Sequence, residues 1–144
     1  MIYSDFKEFV GQLPKAGKIL AVDWGAKRTG IALSDAERDF AFARPQIAPD
    51  AGMVAKIAAN DRAVGILVGL PSSGQVAESI KKFAADLDAL TAAPILMYDE
   101  TLSSVAASAM LSENGISARH QKGKLDSAAA QVLLEEFLQR IKNV

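Results

Sequence analysis

The chain predicts an α/β domain built on a mixed sheet with helices on its faces. Two observations carry this expectation. Ile19-Leu20-Ala21-Val22 and Val64-Gly65-Ile66-Leu67-Val68-Gly69-Leu70 are apolar runs, the pattern of strands buried on both faces, whereas half-buried strands alternate. The predicted elements also come in a telling order: three strands within hairpin reach of one another, two strand–helix alternations, then closing helices. That order joins an antiparallel part to βαβ units.

Residues 1–17 read as a short helical leader. Its helix, Asp5–Leu13, sets Phe6, Phe9, Val10 and Leu13 on one side. Lys18–Asp23 is the first strand, with Arg28–Ser34 and Phe40–Ile47 following. Pro49 and Asp50 open a helix over Ala51–Asn60, since both residue types favour helix starts. The strand from Val64 stops at Pro71, Ser72-Ser73-Gly74 makes a loop, and Val76–Leu90 is an amphipathic helix with Ile80, Phe83, Ala84 and Leu87 inward. Pro94–Tyr98 is the last strand and runs into Asp99-Glu100. Helices are expected over Leu102–Leu111 and Leu125–Ile141, with a basic, glycine-bearing loop (Gly115 to Lys124) between them.

With 144 residues, 50% hydrophobic and 23% charged, the chain fits one soluble domain over 1–144. It has no cysteine, which excludes a disulfide framework and a thiolate metal site and suits a reducing compartment. His120 is the sole histidine, so no mechanism needing two imidazoles is available. No apolar run nears the roughly 18 residues of a membrane span, and no secretory signal pattern opens the chain. The expected location is the cytoplasm. A net charge of −1 argues against a nonspecific nucleic-acid coat protein but leaves room for a local basic patch.

Candidate chemistry lies in the acids. Asp23 ends a buried strand at its carboxyl end, where open α/β sheets bind ligands, and an acid leaving a core there wants a cation. Asp23-Trp24-Gly25 equally fits a tight turn with Gly25 at positive φ. Asp99 and Glu100 point to opposite faces of their strand, so only one can join Asp23 directly. Asp126 shares its helix side with Ala129, Ala130 and Leu133, a side that packs; an N-cap is the other reading. Three carboxylates without histidine or cysteine form an oxygen-donor set, suited to Mg²⁺ or Mn²⁺. Two such ions roughly 3.5–4 Å apart activate water and stabilise the leaving oxygen of a phosphodiester.

Asp23-Trp24-Gly25-Ala26-Lys27-Arg28-Thr29-Gly30-Ile31-Ala32 resembles the signature of the YqgF family, also called RuvX, of RuvC-like resolvases. Val68-Gly69-Leu70-Pro71, Asp99-Glu100-Thr101-Leu102-Ser103-Ser104 and Lys124-Leu125-Asp126-Ser127-Ala128-Ala129 resemble its later motifs in the right order, over about residues 18–139. The resemblance implies a ribonuclease-H-like fold and a metal-dependent nuclease that matures the 5′ end of the 16S ribosomal RNA precursor, with precursor particles as partners. An older assignment within the family is Holliday junction resolution on branched DNA. By motif position its acidic residues fall on Asp23, Glu100 and Asp126. Thr101 stands where the family usually has Arg, which removes one candidate phosphate contact.

Lys27 and Arg28 are candidate phosphate contacts beside Asp23, against a plain solvated turn. Arg119, Lys122 and Lys124 are candidate nucleic-acid contacts on the basic loop, and a solvated loop is the alternative. His120 could serve as a general acid, though a lone loop histidine is more often incidental. Trp24, opposite Asp23 by alternation, is expected in the core rather than stacked on a base. Ser72, Ser73 and Gly74 could hold phosphate or merely cap the next helix. Two further readings remain from other classes. A sugar-kinase-like phosphate loop would need a second half-domain that this length does not hold, and a non-catalytic ribosome-assembly module would have no use for three acids.

Overall fold

The computed structural model describes residues 1–71, 75–99 and 118–143, with the side chains of its last helix from Ala128 onward. Among these residues six strands form one sheet in the order β1-β6-β5-β2-β3-β4. The strands are β1 (Ile2–Tyr3), β2 (Lys18–Asp23), β3 (Thr29–Ser34), β4 (Ala41–Ile47), β5 (Ala63–Leu70) and β6 (Ile95–Asp99). Pairings β1–β6, β6–β5 and β5–β2 are parallel, whereas β2–β3 and β3–β4 are antiparallel. This is the expected mixed sheet of three hairpin-linked strands joined to βαβ units.

The unbroken apolar runs occupy the centre, where both faces are covered. Along β2, Ile19 and Ala21 face one side with Leu67, Leu96 and Tyr98, under α1 (Phe6–Gly11) and α4 (Ala118–Lys142). Leu20 and Val22 face the other side with Ile66, Val68 and Ile95, under α2 (Ala51–Asn60) and α3 (Gln75–Asp88). Strand β4 is an edge, which is why Phe42, Ala43, Arg44 and Pro45 are exposed and why a proline is tolerated there. Asp5 and Asp50 cap α1 and α2, accepting from Glu8 N and Gly52 N, each at 2.9 Å. At Gly65 a Cβ would come within 2.8 Å of Leu13 Cδ2 and 2.9 Å of Phe9 Cζ, so its absence lets the leader lie flat on β5.

Two expectations are corrected. The leader over 1–17 is not helical alone: Ile2 and Tyr3 form β1 alongside Ile95 and Leu96. Two residues are too few to show a period, so only their partner strand reveals them. The segment read as a basic loop is helical from Ala118, so Arg119, Lys122 and Lys124 lie in α4 and Asp126 is inside it, not at its start. A lone glycine, here Gly123, costs a helix about 1 kcal/mol relative to alanine, and α4 continues through it. The N-cap reading of Asp126 falls with this. The expected Leu102–Leu111 helix and the Ser72–Gly74 loop lie outside the described residues.

Candidate active site

Asp23 is the last residue of β2 and is half-buried. Alternation along the strand puts it on the side of Ile19 and Ala21, beneath α4, while Trp24 packs among the apolar residues of the opposite side. The core role expected for Trp24 is therefore observed. Gly30 sits directly across from Asp23 on β3. On β5 the pairing of Val22 with Val68 carries Gly69 to Asp23's level, and Gly69 in turn neighbours Tyr98. With glycine at both flanking strand positions, neither β3 nor β5 sets a side chain directly beside Asp23. Sequence reasoning missed this, although both glycines stood within its motifs; only strand register shows that they flank one acid.

The β2–β3 loop carries the basic pair. Gly25 is required in it, because a Cβ there would come within 2.5 Å of the Arg28 carbonyl oxygen. Close approach of backbone, rather than the positive φ considered from sequence, explains this glycine, since Gly17 is the one glycine at positive φ among the described residues. Lys27 and Arg28 are exposed, and Arg28 Nη1 donates to Gln46 Oε1 at 3.5 Å. Asp99 ends β6, and its position falls with Ile95 and Met97 on the face opposite Asp23. Glu100 lies outside the described residues. On α4, positions 119, 122, 126, 130 and 133 recur at three or four residues and share one helical side, whereas 124 lies off it. Ala130 and Leu133 on that side are buried in the cluster containing Ala21.

Tyr98 stands on Asp23's face with Phe137 edge-on at 5.7 Å. Burial pushes its hydroxyl well above the ordinary tyrosine range, and the nearby Glu136 carboxylate adds to the shift. The folded state thus holds this proton more tightly than the unfolded chain does. The stability contributed is whole below the unfolded value, about 10, and is lost as pH rises past it towards the folded value. Urea titrations at about pH 8 and about pH 11 should show wild type losing more stability than Tyr98→Phe. Equal losses would mean that the folded protein does not hold the Tyr98 proton.

The RuvX family, described as Holliday junction resolvase, matches residues 17–140, from just before β2 to near the end of α4. The chain belongs to the RuvX family. A relative from Paracoccus denitrificans named "Putative pre-16S rRNA nuclease" is 34% identical over 152 residues, covering 99% of this chain and 96% of its own length. One of the same name from Maridesulfovibrio salexigens is 38% identical over 133 residues, covering 85% of this chain and 98% of its own. Among solved structures, T. thermophilus RuvC in complex with a Holliday junction substrate superposes with a TM-score of 0.58 at 14% identity, covering 89% of this chain and 98% of that one. That likeness is one of fold, and the fold is ribonuclease-H-like, as the RuvX resemblance implied. Among the described residues no helix is long and apolar enough to cross a membrane.

Proposed function

We propose that this RuvX-family protein is a nuclease that hydrolyses phosphodiester bonds in structured RNA, with the 16S ribosomal RNA precursor as substrate. The observation that carries the reading is Asp23 at the carboxyl end of the central strand, set between Gly30 and Gly69. The names of full-length relatives point the same way.

The proposed ligand set is Asp23, Glu100 and Asp126, holding Mg²⁺ or Mn²⁺. Carboxylate oxygens alone suit these hard cations, and with Gly30 and Gly69 flanking it Asp23 meets no side chain from the adjacent positions of β3 and β5. Asp99 falls on the far face, which favours its neighbour Glu100 as the partner of Asp23. Asp126 shares a helical side with the buried Ala130 and Leu133 and has no cap to provide, which favours a ligand role. A bound metal pair would supply an activated water and a counter-charge for the leaving oxygen. Asp23 would hold the cations at the strand end, and Lys27 and Arg28 would hold the flanking phosphates of the strand. Arg119 and Lys122, at positions on Asp126's side of α4, extend that positive track, and Lys124 adds positive charge from a position off that side.

Replacing Arg119, Lys122 and Lys124 together by alanine should weaken RNA binding and flatten its dependence on salt, leaving metal affinity unchanged. Binding measured between about 50 and 200 mM salt checks this, and an unaltered slope would remove these residues from the interface. The functional reading itself is tested by offering the protein precursor 16S RNA and a four-way DNA junction with Mg²⁺. Cleavage of the RNA supports it; cleavage of the junction alone would make the protein a resolvase, and cleavage of neither a binding module.

A further inference from the structure

Strand β4 ends the sheet on one side, and its outer rim carries a specific pattern of backbone groups. Asp35 N donates to the Phe40 carbonyl at 3.2 Å, so Phe40 turns that group towards the β3 side. Ala41 turns its own outward, where Gln131 Nε2 of α4 donates to the carbonyl at 3.3 Å. Ala43, two residues on, faces outward by the same alternation and is exposed. Pro45 is exposed too and has no N–H to offer. Proline and a capping side chain ordinarily blunt an edge against pairing. Here they leave open the N–H and C=O of Ala43 and the N–H of Ala41.

A second copy of β4 meets this pattern. Laid antiparallel with a two-fold axis at Ala43, each Ala43 exchanges two hydrogen bonds with its counterpart. Ala41 then falls opposite the second copy's Pro45. The carbonyl that Gln131 already serves faces the one residue that could not donate to it. The side chains agree in the same register. Phe42 pairs with Leu33 and Arg44 with Ile31, so both stand on α2's side of the sheet. Phe42 is 55% exposed, and Asp61 holds the Arg44 guanidinium at 2.9 Å. Across the axis Phe42 falls opposite the second copy's Arg44, and Arg44 opposite its Phe42. Each ring thereby meets a cation, twice over by symmetry. A two-fold contact requires this reciprocity, and an unrelated extended segment would have to supply it by chance.

We propose that β4 is a self-recognition strand through which two copies of this chain join their six-stranded sheets into one, with Ala43 on the axis. The antiparallel join sends the Asp23 ends of the two copies in opposite directions. The strand is short, so dimers should form at about 10–100 µM, the weak end of specific association. Sedimentation velocity of the full chain across that range should show them, and amide exchange at Ala43 should slow as concentration rises. Phe42→Arg sets two like-charged pairs across the axis and should weaken the dimer about tenfold or more. Phe42→Glu sets two opposite-charge pairs there instead and should dimerise at least as tightly as wild type. The position is exposed, so both variants should keep the wild-type melting temperature in dilute solution. If both variants dissociate alike, the association is apolar contact without this register, and the proposal fails. It fails equally if a dimer forms with Ala43 exchange still fast. A chain that stays monomeric up to about 1 mM also overturns it, leaving the edge to an extended segment of another protein.

Discussion

Asp23→Asn should lower Mg²⁺-dependent RNA cleavage by about 10³-fold or more, because several kcal/mol of transition-state stabilisation pass through this ligand at about 1.4 kcal/mol per tenfold. The change keeps the shape of the side chain and removes one charge. Carboxylates gathered without a cation repel one another, so the variant should melt in EDTA at the wild-type temperature or higher. Mg²⁺ should then raise the melting temperature of wild type and barely move the variant, since a ligand that binds only the folded state stabilises it by mass action. Cleavage of labelled precursor RNA and thermal melting with and without Mg²⁺ measure both halves. A marked fall in the metal-free melting temperature would instead make Asp23 a turn residue with a structural task.

Phe137→Ala should produce the largest loss of stability. Phe137 is fully buried on α4 and meets Phe6, Phe9 and Tyr98 edge-on, at centroid distances of 5.5, 5.8 and 5.7 Å. Truncating a buried phenylalanine costs about 3–5 kcal/mol through lost transfer energy and the cavity left behind. For a domain of this size the melting temperature should fall by about 10 °C or more. The same ring holds α1, β6 and α4 together, so activity should fall with stability, whereas Phe137→Leu should retain most of both. Urea melts of the two variants decide it; a loss below about 1 kcal/mol for Phe137→Ala would mean that α4 is not seated through this residue.

The parts of the fold legible in the sequence are those where the local pattern has a single physical solution. The Ile19–Val22 and Val64–Leu70 runs could only be doubly covered strands, and they form the sheet's centre. Pro71 ended β5, because proline cannot continue a ladder. Alternation alone put Trp24 opposite Asp23 and allowed only one of Asp99 and Glu100 to share Asp23's face; that Asp99 is on the other face came from the pairing of β6 with β5. Asp5 and Asp50 lie at the starts of α1 and α2, as capping chemistry requires.

Elsewhere the local signals were too weak or pointed the wrong way. Ile2–Tyr3 is a strand only because β6 offers it an edge. The basic stretch after Ala118 has the composition of a loop, and Gly123 looks like a break. One glycine and several charges cost less than helix continuation returns, so the helix extends and Asp126 moves from its cap to its interior. The pairing of Gly30 with Asp23, the placing of Gly69 level with it, and the meeting of Tyr98 with Glu136 and Arg140 are facts of register and docking between segments far apart in the chain. Sequence determined which side of its strand each acid takes, because alternation is a local property of the backbone. Only the tertiary structure decided what stands next to that acid, because neighbours across a sheet are set by which strands pair and in what register.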